Sequence, residues 1–272
     1  MKLFSNFIEI ERWEKSFKDL SHLDFSLFYD YIPNNSNQFS KYNIFIACEP
    51  NEYFHHHDWI IQNNHYFDAI ICWSNIILSS CPNSVFVPYG ESWFQDNSLN
   101  DVNIEQKEFK TSFLRGNKLK LKGHYIRHEL YNRRNEIKNP IMFWDSLGDP
   151  NNWENWRDSK INTFKPYQFS VCIENSINKN YFTEKITDCF LQKTIPIYWG
   201  CPNIEDFYDI DGILIVNDVD SIIKTINSLK NEDFKYYTPI IERNYKIALD
   251  YKDYVFNVKE KIKEIFKLNG LL

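Results

Sequence analysis

The sequence predicts an α/β protein made of two Rossmann-like domains that face each other across a cleft. Short apolar runs of strand length alternate with segments of helical periodicity. The alternation stops in a polar stretch, Ser92–Lys110, and then starts again. The 272 residues are enough for two modest domains, so the linker predicts a division into residues 1–105 and 106–272. In such sheets, ligands bind beyond the carboxyl ends of the strands.

The first half contains four runs that predict strands, separated by polar, asparagine-rich connections. They are Phe25–Ile32, Tyr42–Cys48, Phe67–Trp73 and Val85–Pro88. The second half contains five more, at Thr111–Leu114, Ile141–Asp145, Gln168–Ile173, Thr194–Trp199 and Gly212–Val216. Helical segments are predicted around His124–Ile137, after Thr183, near Asp218–Lys230 and over Tyr254–Leu268. The last of these has a stripe of apolar residues at helical spacing, which indicates core packing.

Composition limits the class of ligand. The formal net charge of −6 argues against general nucleic-acid binding. The segment Lys107–Lys138 nevertheless holds ten Lys or Arg against three Glu, a local balance of +7. This pattern indicates either one anionic ligand at one place or a solvated helix face. The aromatic fraction of 17% suits a sugar-binding cleft, although core packing is the more common use of these residues.

The cysteines and the hydropathy pattern indicate a compartment. None of the six cysteines forms a CxxC pair, which argues against a zinc site. Four of them lie inside apolar runs, as expected in a reducing environment. We find no signal peptide and no run approaching the ~20 apolar residues that a membrane span needs. The sequence therefore predicts a soluble, cytoplasmic protein without a transmembrane segment.

The most informative stretch is Tyr167–Pro202. A buried strand ends in the polar Glu174-Asn175-Ser176, and after a short loop Thr183 can cap a helix that starts with Glu184 and Lys185. A helix N-terminus offers unpaired N–H groups and the positive end of a dipole, to which Lys185 adds a full charge. The pattern fits either a diphosphate site or an ordinary capped helix.

This stretch resembles the donor-binding motif of the α1,3-fucosyltransferases, glycosyltransferase family ten. The matching positions are Glu174-Asn175-Ser176, Tyr181, Thr183-Glu184-Lys185 and Ile195–Gly200. The resemblance implies a GT-B fold with an acceptor-side first domain and a donor-binding second domain. It also implies an inverting enzyme that transfers fucose from GDP-fucose to a hydroxyl of a glycan acceptor, without another cofactor.

The resemblance also implies roles for individual residues in the second half. Arg127 would lie at the pyrophosphate, with Lys185 as a second cation. Glu184 would accept hydrogen bonds from sugar or ribose hydroxyls, while Asn175 and Tyr181 would orient the donor. The fainter upstream match runs through Lys110–Gly116, Gly123-His124 and Asp145–Gly148. We expect the flanking His124 and His128 to be structural.

In the first half, the resemblance places the catalytic base just after a strand. The segment Ile44–Glu52 is similar, and Glu49 occupies the matching position. Glu52 is the competing carboxylate. Either one could instead be an ordinary loop residue. A general base would take the proton of the acceptor hydroxyl.

Three carboxylate or histidine patterns suggest metal sites, but each has a plainer explanation. Adjacent residues in His55–Asp58 cannot all face one ion. Asp209/Asp211 and Asp218/Asp220 have DxD spacing, yet they suit turn and helix-cap positions better. We therefore expect no bound metal. Two alternatives stay open: a related transferase that uses another nucleotide sugar, and a non-catalytic carbohydrate-binding protein.

Overall fold

The computed structural model describes residues 1–6, 10–94, 102–145 and 160–272. The chain divides into two compact units. The first combines Met1–Tyr89, Asn178–Tyr181 and Asp253–Leu272, and the second combines Gly90–Ile177 with Phe182–Lys252. Each unit contains a five-stranded parallel sheet, which confirms the predicted α/β class with two Rossmann-like halves.

The described residues form ten strands and nine α-helices. The strands are β1 (Lys2–Ser5), β2 (Phe25–Tyr29), β3 (Tyr42–Ala47), β4 (Ala69–Cys72), β5 (Ser84–Phe86), β6 (Glu108–Arg115), β7 (Ile141–Asp145), β8 (Tyr167–Ile173), β9 (Ile195–Trp199) and β10 (Leu214–Ile215). The helices are α1 (Ile10–Ser16), α2 (Asn51–Phe54), α3 (His57–Gln62), α4 (Asn75–Ser80), α5 (Lys122–Asn132), α6 (Glu184–Leu191), α7 (Val219–Ser228), α8 (Asp233–Tyr251) and α9 (Tyr254–Leu268).

The first sheet has its strands in chain order, β1-β2-β3-β4-β5. All residues of β2 and β4 are buried, because both faces of the sheet are covered. Alternate residues of β2 and β3 pack against α1 and α9 on one face, and the remaining ones pack against α3 and α4. The carboxyl ends of β2, β3 and β4 therefore meet at one edge.

The second sheet has the order β10-β9-β8-β6-β7. Its strands β6 and β8 are neighbours in the sheet but not in the chain, so the strand order reverses between them. A parallel sheet opens a crevice at the carboxyl ends of its strands where the order reverses. This topology places the end of β8, followed by Glu174 and Asn175, at the expected binding edge.

Several features differ from the sequence-based expectation, and the sequence pattern does not predict β1 or helices α1 to α4. The sequence groups helix α9 with the second half, but its stripe packs in the first unit, where the Phe266 and Phe25 ring centroids lie 5.3 Å apart. The division at residues 105/106 stays a prediction. Helix α8 is not predicted by the sequence pattern, because Pro239 interrupts it. In the part of the chain that the structure describes, no helix is both long and apolar enough to cross a bilayer.

Candidate active site

A buried carboxylate joins the end of β8 to the start of α6. The Glu174 side chain is fully buried. One of its oxygens accepts the backbone N–H of Thr183 at 2.9 Å, and the other accepts the Thr183 hydroxyl at 2.7 Å. Burial raises the pKa of Glu174, while the neighbouring Lys185 opposes the shift. Glu174 thus fixes the loop that leads into the helix.

Lys185 lies in the first turn of α6 and is held by oxygens on three sides. Its ammonium donates to the Thr183 hydroxyl at 2.9 Å and to Glu184 at 3.1 Å, and it lies 3.6 Å from a Glu174 oxygen. Burial lowers the pKa of Lys185, but Glu184 and Glu174 outweigh that effect and raise it overall.

Glu184 carries a negative charge beside the positive charge of Lys185. Burial acts to raise the pKa of Glu184, but Lys185 and Lys160 outweigh it and hold the pKa well below its usual range. The Lys160 ammonium lies 3.9 Å from the Glu184 carboxylate. Glu184 and Lys185 therefore both remain charged at neutral pH, and a ligand here meets fixed charges of both signs.

Arg127 reaches the same strand end from α5. The buried guanidinium donates from Nε to the Ile173 carbonyl at 3.2 Å, and from Nη2 to that carbonyl and to Asn175 Oδ1, the latter at 3.0 Å. The helix can approach this closely because residue 123 is glycine. A Cβ at Gly123 would lie 1.8 Å from the carbonyl oxygen of Glu174.

The structure therefore gathers Arg127, Asn175, Glu184 and Lys185 around the carboxyl end of β8. Two fixed cations and the amino end of α6 form a suitable place for an anion with several oxygens. The sequence predicts these four residues, whereas it does not predict the anchoring role of Glu174. The fixed spacing of Glu174 to Thr183 within the motif is the signal that could have found it.

A cavity of about 550 Å³ opens beside this cluster, at the carboxyl ends of β9 and β10. Its walls are mainly apolar, with Asn217 and Glu205 among the polar groups. Gly200 lines the cavity and also touches the Glu174 anchor, because a Cβ there would lie 2.5 Å from the Glu174 Cγ. Size and lining are those of a small-molecule site.

The two flanking histidines have structural contacts. His124 Nδ1 accepts the N–H groups of Lys120 and Leu121 at 3.2 and 3.0 Å, which caps α5. Burial and the nearby Arg127 lower the pKa of His124 to about 4, so the ring is neutral. His128 Nε2 lies 3.2 Å from the carbonyl oxygen of Lys118. Residues Ser146–Gly148 of the upstream match lie outside the described residues.

The basic segment does not act as one patch. Lys107 is buried and donates to three backbone carbonyls and the Thr194 hydroxyl, and burial lowers its pKa to about 7. Arg133 pairs with Glu136 and Asp220. Lys107 and Arg133 thus have partners within the protein, so a single anionic ligand does not account for all charges of the basic segment. Arg127 is the member that reaches the end of β8, through its hydrogen bonds to Ile173 and Asn175.

In the first unit, Glu49 follows β3 and is half-buried. Its backbone N–H donates to the buried carboxylate of Asp30 at 3.0 Å. Glu52 is exposed and accepts from the Asn178 amide at 3.3 Å. Tyr181 also belongs to this unit, where its fully buried ring lies 4.8 Å from the ring of Trp73. The catalytic role of Glu49 and the donor contact of Tyr181 stay predictions.

The carboxylate patterns suggestive of metal sites have local roles. Asp209 accepts the N–H of Asp211 in a turn, and Asp218 caps α7 by accepting the N–H of Ser221 at 2.7 Å. His56 Nε2 lies 2.9 Å from Asp30. Among the described residues, no group of three His, Cys, Asp or Glu side chains could hold a metal ion. All six cysteines are buried and without disulfides.

A known protein family matches the part of the chain that contains the cluster at the end of β8. Residues 120–247 match the model of glycosyltransferase family 10 (fucosyltransferase), C-terminal part. We call residues 120–247, which match this model, the family 10 segment. This family 10 segment contains Arg127, Asn175, Glu184 and Lys185, together with the lining of the cavity.

Curated relatives of this chain are named fucosyltransferases. The α-(1,3)-fucosyltransferase FucT of Helicobacter pylori is 30% identical over 147 residues, which are 52% of this chain and 30% of FucT. The human 4-galactosyl-N-acetylglucosaminide 3-α-L-fucosyltransferase 9 is 30% identical over 104 residues, 36% of this chain and 26% of that protein. The match thus spans less than a third of either relative.

Among solved structures, an α1,3-fucosyltransferase with GDP has a TM-score of 0.52 at 19% identity. The alignment covers 92% of this chain and 87% of that one. At this identity the likeness establishes the fold. It is the GT-B architecture of two Rossmann-like parallel-sheet units, and it includes the part of the chain that precedes the family 10 segment.

Proposed function

We propose that this protein is an inverting fucosyltransferase that moves fucose from GDP-fucose to a hydroxyl group of a glycan acceptor. The proposal is carried by the cluster of Arg127, Glu184 and Lys185 at the end of β8, inside the family 10 segment. The names of the relatives support fucose as the sugar. The solved α1,3-fucosyltransferase with GDP, which shares the fold, supports GDP as the nucleotide.

The charges of the cluster suggest how the donor would bind. Arg127, whose Nε and Nη2 groups are held by Ile173 and Asn175, would act on the diphosphate through its fixed charge. Lys185 would act as a point charge beside the amino end of α6. Glu184 would accept hydrogen bonds from ribose or sugar hydroxyls. The guanine base would occupy the cavity beside Gly200, and Asn175 and Tyr181 would orient the donor. We assign the second unit to the donor side and the first unit, which includes α9, to the acceptor side.

The reaction would be a single displacement at the anomeric carbon. The acceptor oxygen forms the new bond to that carbon while the bond to the diphosphate oxygen breaks, so the anomeric configuration inverts. Glu49 takes the proton of the acceptor hydroxyl, an effect worth ~10²–10⁴ in rate. The charge that develops on the departing GDP is stabilised by Arg127 and Lys185.

A ligand panel tests the nucleotide and the sugar. We would record thermal unfolding with GDP, GDP-fucose, GDP-mannose, UDP and UDP-sugars, each with and without EDTA. A ligand at a hundredfold excess over its Kd adds about 2.7 kcal/mol to the free energy of unfolding. We expect stabilisation by GDP and GDP-fucose that EDTA does not change, followed by fucose transfer to a galactosyl-N-acetylglucosamine acceptor.

The panel separates the alternatives. Selective stabilisation by a UDP-sugar or by GDP-mannose would keep a nucleotide-sugar transferase and discard fucose. Stabilisation by free oligosaccharides but by no nucleotide would support a carbohydrate-binding protein without transferase activity. Loss of binding in EDTA would contradict the expected independence of metal.

A further inference from the structure

Asp30 is an unusual residue at the carboxyl edge of the first sheet. It follows β2 directly, the residue is 2% exposed, and its φ of 46° lies in the left-handed region. That region costs a residue other than glycine roughly 1–2 kcal/mol. Its own N–H donates to the Ile46 carbonyl at 2.8 Å, which holds the backbone in this conformation. A strained, buried acid at this edge requires a physical reason.

Both carboxylate oxygens of Asp30 accept hydrogen bonds from the chain that carries Glu49. The N–H of Cys48 donates to Oδ1 at 2.9 Å, and the N–H of Glu49 donates to Oδ2 at 3.0 Å. His56 Nε2 contacts Oδ1 at 2.9 Å. A carboxylate that accepts two successive backbone N–H groups fixes the direction of that backbone.

The same peptide is held from its other side. The indole N–H of Trp73, the residue after β4, donates to the carbonyl oxygen of Cys48. Side chains that follow β2 and β4 therefore hold the backbone that follows β3, the strand between them. The Cys48–Glu49 peptide has its N–H and its C=O groups engaged by side chains within the first unit.

We propose that Asp30 is a positioning residue that fixes the backbone of Glu49 and so aims its carboxylate, with Trp73 as the second support. This inference rests on the proposed function, in which Glu49 is the general base. Burying a carboxylate costs several kcal/mol unless its hydrogen bonds are satisfied, and apolar residues fill such positions at less cost. A buried carboxylate that binds the backbone next to Glu49 indicates that the orientation of Glu49 matters.

A double-mutant cycle tests the proposal. Asp30→Asn keeps the shape but turns one acceptor into a donor that faces a backbone N–H. Alone, it should lower kcat about 10- to 100-fold and leave the KM for the donor within about twofold. In a Glu49→Gln background the same change should lower kcat by less than about threefold, because the base it positions is already lost. Equal losses in both backgrounds would overturn the proposal.

Asp68→Asn is the matched control. Asp68 also accepts a backbone N–H, that of Asn43 at 2.7 Å, but at the amino end of β3. It should leave kcat unchanged, and an equal loss in this variant would show a general effect on the sheet. If Asp30→Asn does not fold, Trp73→Phe removes only the other support and should show the same dependence on Glu49.

The outcomes distinguish the two proposals. Wild-type-like turnover by Glu49→Gln would remove Glu49 as the base, and the role of Asp30 with it. No fucose transfer by the wild-type protein would overturn the proposed function itself. A kcat loss in Asp30→Asn that is independent of Glu49 would overturn the positioning role alone and leave the fucosyltransferase assignment intact.

Discussion

Each of the two sheets has a buried carboxylate at its carboxyl edge. Both carboxylates fix a neighbouring segment of the chain through hydrogen bonds, but the two segments carry side chains of opposite charge. Asp30 follows β2 and accepts two backbone N–H groups at 2.9 and 3.0 Å. Glu174 follows β8 and accepts an N–H and a hydroxyl of Thr183 at 2.9 and 2.7 Å. The first fixes the backbone of an acid, Glu49, and the second fixes the start of a helix that carries a cation, Lys185.

The difference lies in the partners of the two carboxylates. Glu174 has an ammonium 3.6 Å away, so its edge presents positive charge to a ligand. Asp30 has a histidine ring at 2.9 Å and accepts the backbone N–H of Glu49, the proposed base. Equivalent anchoring thus supports a site for an anionic donor in one unit and a candidate base in the other.

The largest effect should come from replacing the proposed base of the first unit, the carboxylate of Glu49. Glu49→Gln removes the proposed base with little change in shape, so kcat should fall at least ~100-fold, about 2.7 kcal/mol of barrier. Donor affinity should persist. Glu52→Gln, in the same loop but exposed, is the control and should keep kcat within a few-fold. The measurement is steady-state fucose transfer, and the reverse pattern would make Glu52 the base.

A second substitution disrupts the close packing of α5 against the backbone of Glu174. In Gly123→Ala the new Cβ would lie 1.8 Å from a backbone oxygen, so α5 must move away and Arg127 with it. We expect a loss of about 2 kcal/mol in the free energy of unfolding, measured in urea. Gly270→Ala meets nothing within 4 Å but has a φ of 68°, so it should cost only about 1 kcal/mol. Equal costs would contradict this packing.

Removing the Lys185 cation of the second unit extends the comparison between the two units. Lys185→Ala deletes the charge-assisted hydrogen bond that we propose to phosphate, so GDP affinity should fall about 10- to 100-fold by calorimetry. Lys179→Ala removes the same charge from an exposed position in the preceding loop and serves as the control. Unchanged GDP affinity in Lys185→Ala would count against the phosphate assignment.

The smallest effect concerns pH and one buried histidine in each unit. Burial lowers the pKa of His57 to about 4, and burial with Arg127 does the same for His124. The unfolded chain binds protons below about 6.5, whereas the folded chain does so only near 4. Stability is therefore lost as pH falls from 6.5 towards 4, by about 1.4 kcal/mol per histidine at pH 5.5.

Urea unfolding at pH 7.5 and 5.5 measures this loss. His57→Asn and His124→Asn should each reduce the difference between the two pH values by about 1 kcal/mol. A difference that stays the same as in the wild-type protein would show that the histidine in question has the same pKa in the folded and the unfolded chain.

Elements with a continuous local pattern could be predicted from the sequence. The bounds of β7 and α9 agree with the prediction, and Glu174 to Gly200 forms the expected strand, loop, capped helix and strand. Their signals are apolar periodicity and a Thr183 cap, both of which lie within a few residues. Helix α8 escapes prediction because Pro239 masks a periodicity that tertiary packing completes.

The other parts that escape prediction depend on residues distant in the chain. Asp30 binds N–H groups 18 and 19 residues away. Because nearly every residue has a backbone N–H, the sequence does not show which one a side chain binds. The stripe of α9 shows that one face is buried but not which sheet buries it. The basic segment misleads for the same reason, because Lys107 donates to groups 57 to 87 residues away and Arg133 reaches Asp220, 87 residues along the chain.

The position of α9 has a consequence for the synthesis of the protein. The apolar face of the first sheet is completed by residues near the very end of the chain, after the whole second unit has been made. At ~5–20 residues per second, a ribosome leaves that face uncovered for on the order of ten seconds or more. The first unit can therefore complete its core only after the residues of the second unit have been made.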